Sequence, residues 1–229
     1  MRYALGDLTK GLAKITVLLA GVAVTGVAGA QSADRAGHWE TRLDVNFENS
    51  SSWDFDGGTT ADLDSSTGFT LGFAYHYTDN LEFGANFEFD SQDYEADIAS
   101  GTVPGLFFPV SGDLDNFRLM FDGTYNILPG KFTPYVSAAI GWTWMDTNLA
   151  TQPPQTGCWW DPWWGYICTT YQNTKTLDGF TYRLGAGLRY DVSDQFSIHA
   201  AYRFTWTEVE NAKGTPDSDG FLLGIGWKF

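Results

Sequence analysis

Gly220-Phe-Leu-Leu-Gly-Ile-Gly-Trp-Lys-Phe229 closes the chain. Phe221, Leu223, Ile225, Trp227 and Phe229 occupy one face of an extended strand, and Gly220, Leu222, Gly224, Gly226 and Lys228 the other. A strand with one bulky apolar face and one small or charged face, ending on an aromatic, has the pattern of the closing strand of a transmembrane β-barrel. Working back from it, the same alternation recurs over about 38–48, 67–77, 81–90, 115–126, 133–145, 179–190 and 195–206. Period-two alternation over about ten residues is the strand signal, and about ten residues is what a tilted strand needs to cross a hydrocarbon core. The sequence therefore predicts an all-β protein, an eight-stranded antiparallel up-and-down barrel.

Volume decides which face points inward. The apolar faces of the eight segments carry two dozen Phe, Tyr and Trp, while the opposite faces carry only Tyr135. An eight-stranded barrel is just wide enough for ordinary side chains, so the rings must face out, into lipid. The inner face is rich in small residues such as Gly72, Gly84, Ser137, Ala139, Gly141, Gly224 and Gly226. Tyr75, Tyr77, Tyr125, Tyr190, Trp227 and Phe229 fall near one end and Trp142, Trp144 and Trp206 near the other, as two interfacial girdles. Short connections at 78–80, 127–131 and 191–194 alternate with long ones at about 49–66, 91–114, 146–178 and 207–219. The outer-membrane pattern puts short turns in the periplasm and long loops outside.

The start of the chain fits export. Arg2, Lys10 and Lys14 precede an apolar run over 15–27, too short to span a bilayer comfortably, and Ala28-Gly29-Ala30 offers a small-x-small cleavage site. Residues 1–30 are expected to be a cleaved signal peptide and 31–229 the barrel domain. The leader holds three of 13 basic residues and one of 28 acids, so the mature charge is 10 − 27 = −17. Such a chain is a poor partner for nucleic acid or for an anionic membrane surface.

These segments resemble the OmpA-type eight-stranded outer-membrane barrels. The likeness rests on Ala28-Gly29-Ala30, the glycine-rich strands TGFTLGFAYHY (67–77) and PYVSAAIGW (134–142), YRLGAGLRY (182–190) and the terminal Phe229. It implies an outer-membrane location, contact with lipid and lipopolysaccharide, and reading of Trp227 and Phe229 by the barrel-assembly machinery. With Phe229 closing the last strand, no counterpart of the peptidoglycan-binding domain of OmpA itself is expected.

Three features outside that pattern bear on function. First, the inward face carries seven acids (Glu40, Asp44, Glu48, Glu82, Glu88, Asp90, Asp122) and six bases (Arg42, Arg118, Arg183, Arg189, Arg203, Lys228). Counting up from the short turns puts Glu88, Arg118, Arg183 and Arg203 at one height, Arg42, Asp44, Asp122 and His199 lower, and Glu40, Glu82, Arg189 and Lys228 at the rim. Paired, these charges plug the lumen; a rearranged pair would open a narrow pore for ions or small solutes. Second, Cys158 and Cys168 in an exported chain are expected to form a disulfide around Trp159, Trp160, Trp163, Trp164 and Tyr166. That stretch reads as a recognition tip for an extracellular ligand or host surface, as a self-packed cap over the mouth against which Phe107 and Phe108 could pack, or as aromatics dipping into the lipid headgroups. Third, His38, His76 and His199 sit apart from any lipid-facing serine and carboxylate, against a lipid-modifying enzyme. No cofactor is expected, and the leading reading is a monomer with a structural and surface-interaction role.

Overall fold

The structure, a computed structural model, describes residues 34–100, 105–150, 153, 155–171 and 173–229. The expected signal peptide lies outside these residues. Among the described residues twelve strands are present: β1 (Trp39–Glu48), β2 (Ser51–Asp54), β3 (Thr60–Leu63), β4 (Ser66–His76), β5 (Leu81–Ala99), β6 (Phe107–Asn126), β7 (Phe132–Ala150), β8 (Gln155–Asp161), β9 (Gly165–Tyr171), β10 (Thr174–Asp191), β11 (Phe196–Val209) and β12 (Asp217–Lys228). β1, β4, β5, β6, β7, β10, β11 and β12 pair antiparallel with their neighbours, and β12 returns to β1, so the ring closes. Closure leaves the ring no free strand edge, which hydrocarbon demands. Phe229 adds a last rung, exchanging backbone hydrogen bonds with Trp39 at 2.9 and 3.1 Å.

The eight predicted strands and their facing hold. Phe69, Phe83, Phe121, Ile140, Phe221 and Leu223 are exposed on the outside, where lipid replaces water. Glu40, Thr70, Glu88, Arg118, Thr181 and Arg183 are buried within. Tyr135 is the inward aromatic, packed with Ala201 and Leu222. Inward glycines make room for the charges: a Cβ at Gly224 would strike the Asp44 carboxylate and the His199 ring. Trp206 departs from the girdle reading. It is buried, stacked on Tyr182 at 5.5 Å with Phe204 beyond it.

The long loops are a larger correction. Much of 91–114 and 146–178 is strand, because β5, β6, β7 and β10 run 18–20 residues. Within 49–66, β2 and β3 form a hairpin whose β3 pairs with β5, Leu63 opposite Tyr94. The β2 side is tied to the turn after β11, with Lys213 N–H donating to the Asp54 carbonyl at 2.7 Å. The barrel thus continues upward as a second storey, and its polarity inverts there. On β5, Tyr94, Ala96 and Ile98 point inward and Asp93, Glu95 and Asp97 outward. The strand phase is unchanged; only the outer solvent has switched from lipid to water. Trp53, Leu63, Tyr94, Leu114, Met145 and Val209 form the resulting apolar core.

Candidate functional site

Three tiers of charge fill the lumen below that core. In the upper tier Arg183 binds Glu88 through both guanidinium nitrogens, the Nη2 contact at 2.8 Å. Arg203 reaches the same carboxylate at 3.3 Å and Arg118 at 3.8 Å. Arg118 also holds Glu48 at 2.9 and 3.2 Å and Asp90 at 2.6 Å. The expected height grouping of Glu88, Arg118, Arg183 and Arg203 is therefore a contact network. Above it, the hydroxyls of Thr143, Thr181 and Thr207 link across β7, β10 and β11 at 2.5 and 3.2 Å.

The middle tier divides. Asp44 meets His199 at 2.9 Å. Arg42 bridges downward, to Glu82 at 2.8 Å and to Asp122 at 3.4 Å, so it joins two of the expected levels. At the rim, His76 lies between Glu40 at 2.6 Å and Glu82 at 3.2 Å, and Arg189 contacts Glu40 at 2.6 Å. Ligand atoms of Glu40, His76 and Glu82 fall within 4.8 Å of one another, close enough to hold a cation. Arg42 and Arg189 already contact those carboxylates, which supplies the positive charge instead. A gap of about 50 Å³ lies in this polar lumen beside Arg42, Asp122, Tyr135 and Arg203. That is room for a water or two.

Sequence reasoning missed Arg35 and Asp191, which close the short-turn end. Arg35 is fully buried. Its guanidinium holds the Asp191 carboxylate at 2.6 Å and donates to the carbonyls of Gly130 at 2.7 Å and Asp79 at 3.1 Å. One side chain thus ties all three short turns. Backbone N–H groups of Arg35 and Ala36 donate to Asp79 and hold its carboxyl below the usual range. Arg35 lies before the first strand, where period-two alternation gives no signal.

At the opposite end, β8 and β9 form a separate two-stranded sheet, with Cys158 disulfide-bonded to Cys168 directly opposite. The tip is built by local chemistry. Asp161 Oδ1 accepts the N–H groups of Trp163 at 2.8 Å and Trp164 at 2.9 Å, Pro162 fixes the bend, and Gly165 takes φ 77°. Trp163 and Trp164 are 89% and 82% exposed, and Trp159, Trp160 and Tyr166 are also exposed. None of them joins the apolar core of the upper storey, so the cap over the mouth is Trp53 and its neighbours rather than the tryptophan hairpin. Phe107 and Phe108 are likewise exposed.

A closed antiparallel ring, rings toward lipid and paired charges toward the axis define a transmembrane barrel of the outer membrane. Residues 17–229 match the family described as outer membrane protein beta-barrel domain, and the chain belongs to that family. Among solved structures it is similar to the outer membrane protein OprG from Pseudomonas aeruginosa, at 18% identity and TM-score 0.51, covering 85% of this chain and 97% of that one. Neisserial surface protein A is similar at 14% identity and TM-score 0.48, covering 88% and 100%. The attachment invasion locus protein Ail of Yersinia pestis, in complex with the heparin analogue sucrose octasulfate, is similar at 16% identity and TM-score 0.45, covering 83% and 99%. No curated protein matches the chain.

Proposed function

We propose that this outer-membrane barrel is a monomeric scaffold that displays a rigid tryptophan hairpin outside the cell, with a lumen that does not conduct. The observation that carries the reading is the exposure of Trp163 and Trp164 on a hairpin that carries its own fastening. An isolated two-stranded hairpin is marginal in water. The Cys158–Cys168 bridge limits its unfolded conformations, on the order of 3 kcal/mol for so short a loop. Exposed rings that are already ordered lose little entropy on binding. Their natural partners are flat apolar surfaces: sugar faces, aromatic side chains or the interface of an apposed membrane. The outward acids Asp93, Glu95 and Asp97 and the mature charge of −17 disfavour a polyanion.

The plugged lumen supports the non-conducting half, and the enzyme reading gains no support from the histidines. Among the described residues His38 bonds backbone carbonyls, while His76 and His199 meet carboxylates. Replacing 158–168 with a Gly/Ser linker tests the proposal. Binding to host cells, glycan surfaces and neutral lipid vesicles is expected to fall to background while the barrel keeps its heat-modifiable gel mobility. Binding that survives the replacement refutes the recognition role. Steady openings in a planar bilayer, altered by Arg118→Ala, refute the plug and favour a channel.

A further inference from the structure

The tryptophan hairpin narrows the choice of its own partner, an inference that rests on the recognition reading above. Its rings do not share a face. Trp160 and Tyr166 stand directly opposite each other on the side that carries the disulfide, and Trp159 stands opposite Ile167 on the other side. Trp163 and Trp164 occupy the end and are the most exposed of the set. A sugar or a protein patch stacked on such a ribbon covers one side and leaves the other in water, where exposed rings are costly. A medium that surrounds the tip covers both sides at once.

Charge points the same way. Across residues 147–174, flanked by Asp146 and Lys175, Asp161 is the one charged side chain, in a strongly acidic protein. Its carboxylate is engaged by the N–H groups of Trp163 and Trp164. The segment therefore offers little to a charged surface. The backbone sets the depth. β8 and β9 form a sheet of two, so each outer edge pairs with no further strand among the described residues. Unpaired N–H and C=O groups do not enter hydrocarbon, whereas Trp and Tyr, apolar with one polar tip, suit the headgroup boundary. Insertion is then end-on and shallow, on the order of 5–10 Å. The hairpin is rooted where Thr174 pairs with Ala150, roughly 15 Å up β7 from Trp144 of the upper girdle. That root stands above the barrel's own lipid.

We propose that the hairpin inserts end-on into the headgroup layer of a second, neutral bilayer of the phosphocholine type, apposed to the outer membrane. Trp163 and Trp164 enter first, and Trp159 and Trp160 follow on opposite sides of the ribbon. The disulfide keeps the ribbon ordered, so little entropy is lost on entry.

The mature protein in lipid nanodiscs is floated with separate phosphocholine vesicles whose acyl chains are brominated near the headgroup or near the terminal methyl. The parent is expected to float with the vesicles and to lose tryptophan fluorescence to the shallow bromines. Trp163→Ala with Trp164→Ala should weaken flotation about a hundredfold, roughly tenfold for each buried ring, with gel mobility verifying that the barrel still forms. Trp159→Ala and Trp160→Ala, one on each side, should each weaken it severalfold. Bromines placed in the nanodisc lipid instead should quench the parent and the tip variant alike. The proposal falls if the parent does not float, or if deep bromines quench as strongly as shallow ones. It falls if the rings of one side alone matter, which would mean a partner stacked face-on. It also falls if the tip variant loses quenching by the nanodisc lipid, which would put the tip in the barrel's own membrane. Glycan or cell binding that needs 158–168, without vesicle binding, overturns the membrane partner and leaves the recognition reading standing.

Discussion

Glu88→Gln probes the plug at its most connected point. Glu88 is fully buried and touches three arginines, Arg183 through two nitrogens, Arg203 at 3.3 Å and Arg118 at 3.8 Å. Its tier is balanced: Arg118, Arg183 and Arg203 against Glu48, Glu88 and Asp90. Glutamine keeps the shape and one acceptor oxygen but leaves three cations facing two anions away from water. Breaking a buried pair by removing one partner costs about 3–5 kcal/mol, and the retained acceptor puts the expectation at the lower end, about 3 kcal/mol. Urea unfolding in lipid vesicles, followed by gel mobility, measures it. Glu88→Gln with Arg203→Gln restores two against two and should recover about half of the loss. Any conductance opened by Glu88→Gln alone should favour anions, because the uncompensated charge is positive. A single variant within about 1 kcal/mol of the parent, or a double variant no better than the single, would refute the argument that paired charge holds this lumen shut.

Other outcomes follow from the same contacts. Asp79 has its carboxyl held low by the Arg35 and Ala36 amides. Its contribution is therefore present above about pH 4, the ordinary carboxylate value, and lost as pH falls through the lowered one; the protection of those two amides, measured against their intrinsic exchange at each pH, should fall with acid, and Asp79→Asn should lower it at every pH. Cys158→Ser with Cys168→Ser should speed amide exchange in β8 and β9, which form their own sheet, and leave the unfolding of the barrel unchanged. Removing Phe229 deletes the rung to Trp39 and the exposed terminal ring; we expect a severalfold drop in assembled barrel in cells, read by heat-modifiable mobility, and unchanged yield would count against its role as an assembly signal.

The membrane barrel was legible because lipid enforces one phase of alternation on every strand, and the charge tiers because register follows from counting up from short turns. Glu88 with Arg118, Arg183 and Arg203 came out by that count alone. Arg42 did not, since a long guanidinium reaches across levels to Glu82. The second storey was hidden by its own consistency. In Asp93-Tyr94-Glu95-Ala96-Asp97-Ile98 the alternation persists, but acids hold the positions that aromatics hold below, so the stretch reads as a polar loop unless the outer solvent is allowed to change. Arg35 and Asp191 lie at segment ends, where no periodicity exists to assign them a side.

Arg35 has a consequence for biogenesis. The turn bearing Asp79 forms early in the chain, the turn bearing Gly130 midway, and Asp191 opens the turn after β10. A nascent barrel that has threaded only its first hairpins leaves that guanidinium solvated and its peptide bond open to trypsin. Arg35 is therefore expected to act as a latch that catches only when the far hairpins arrive, and resistance to cleavage after Arg35 should time-stamp completion of the barrel.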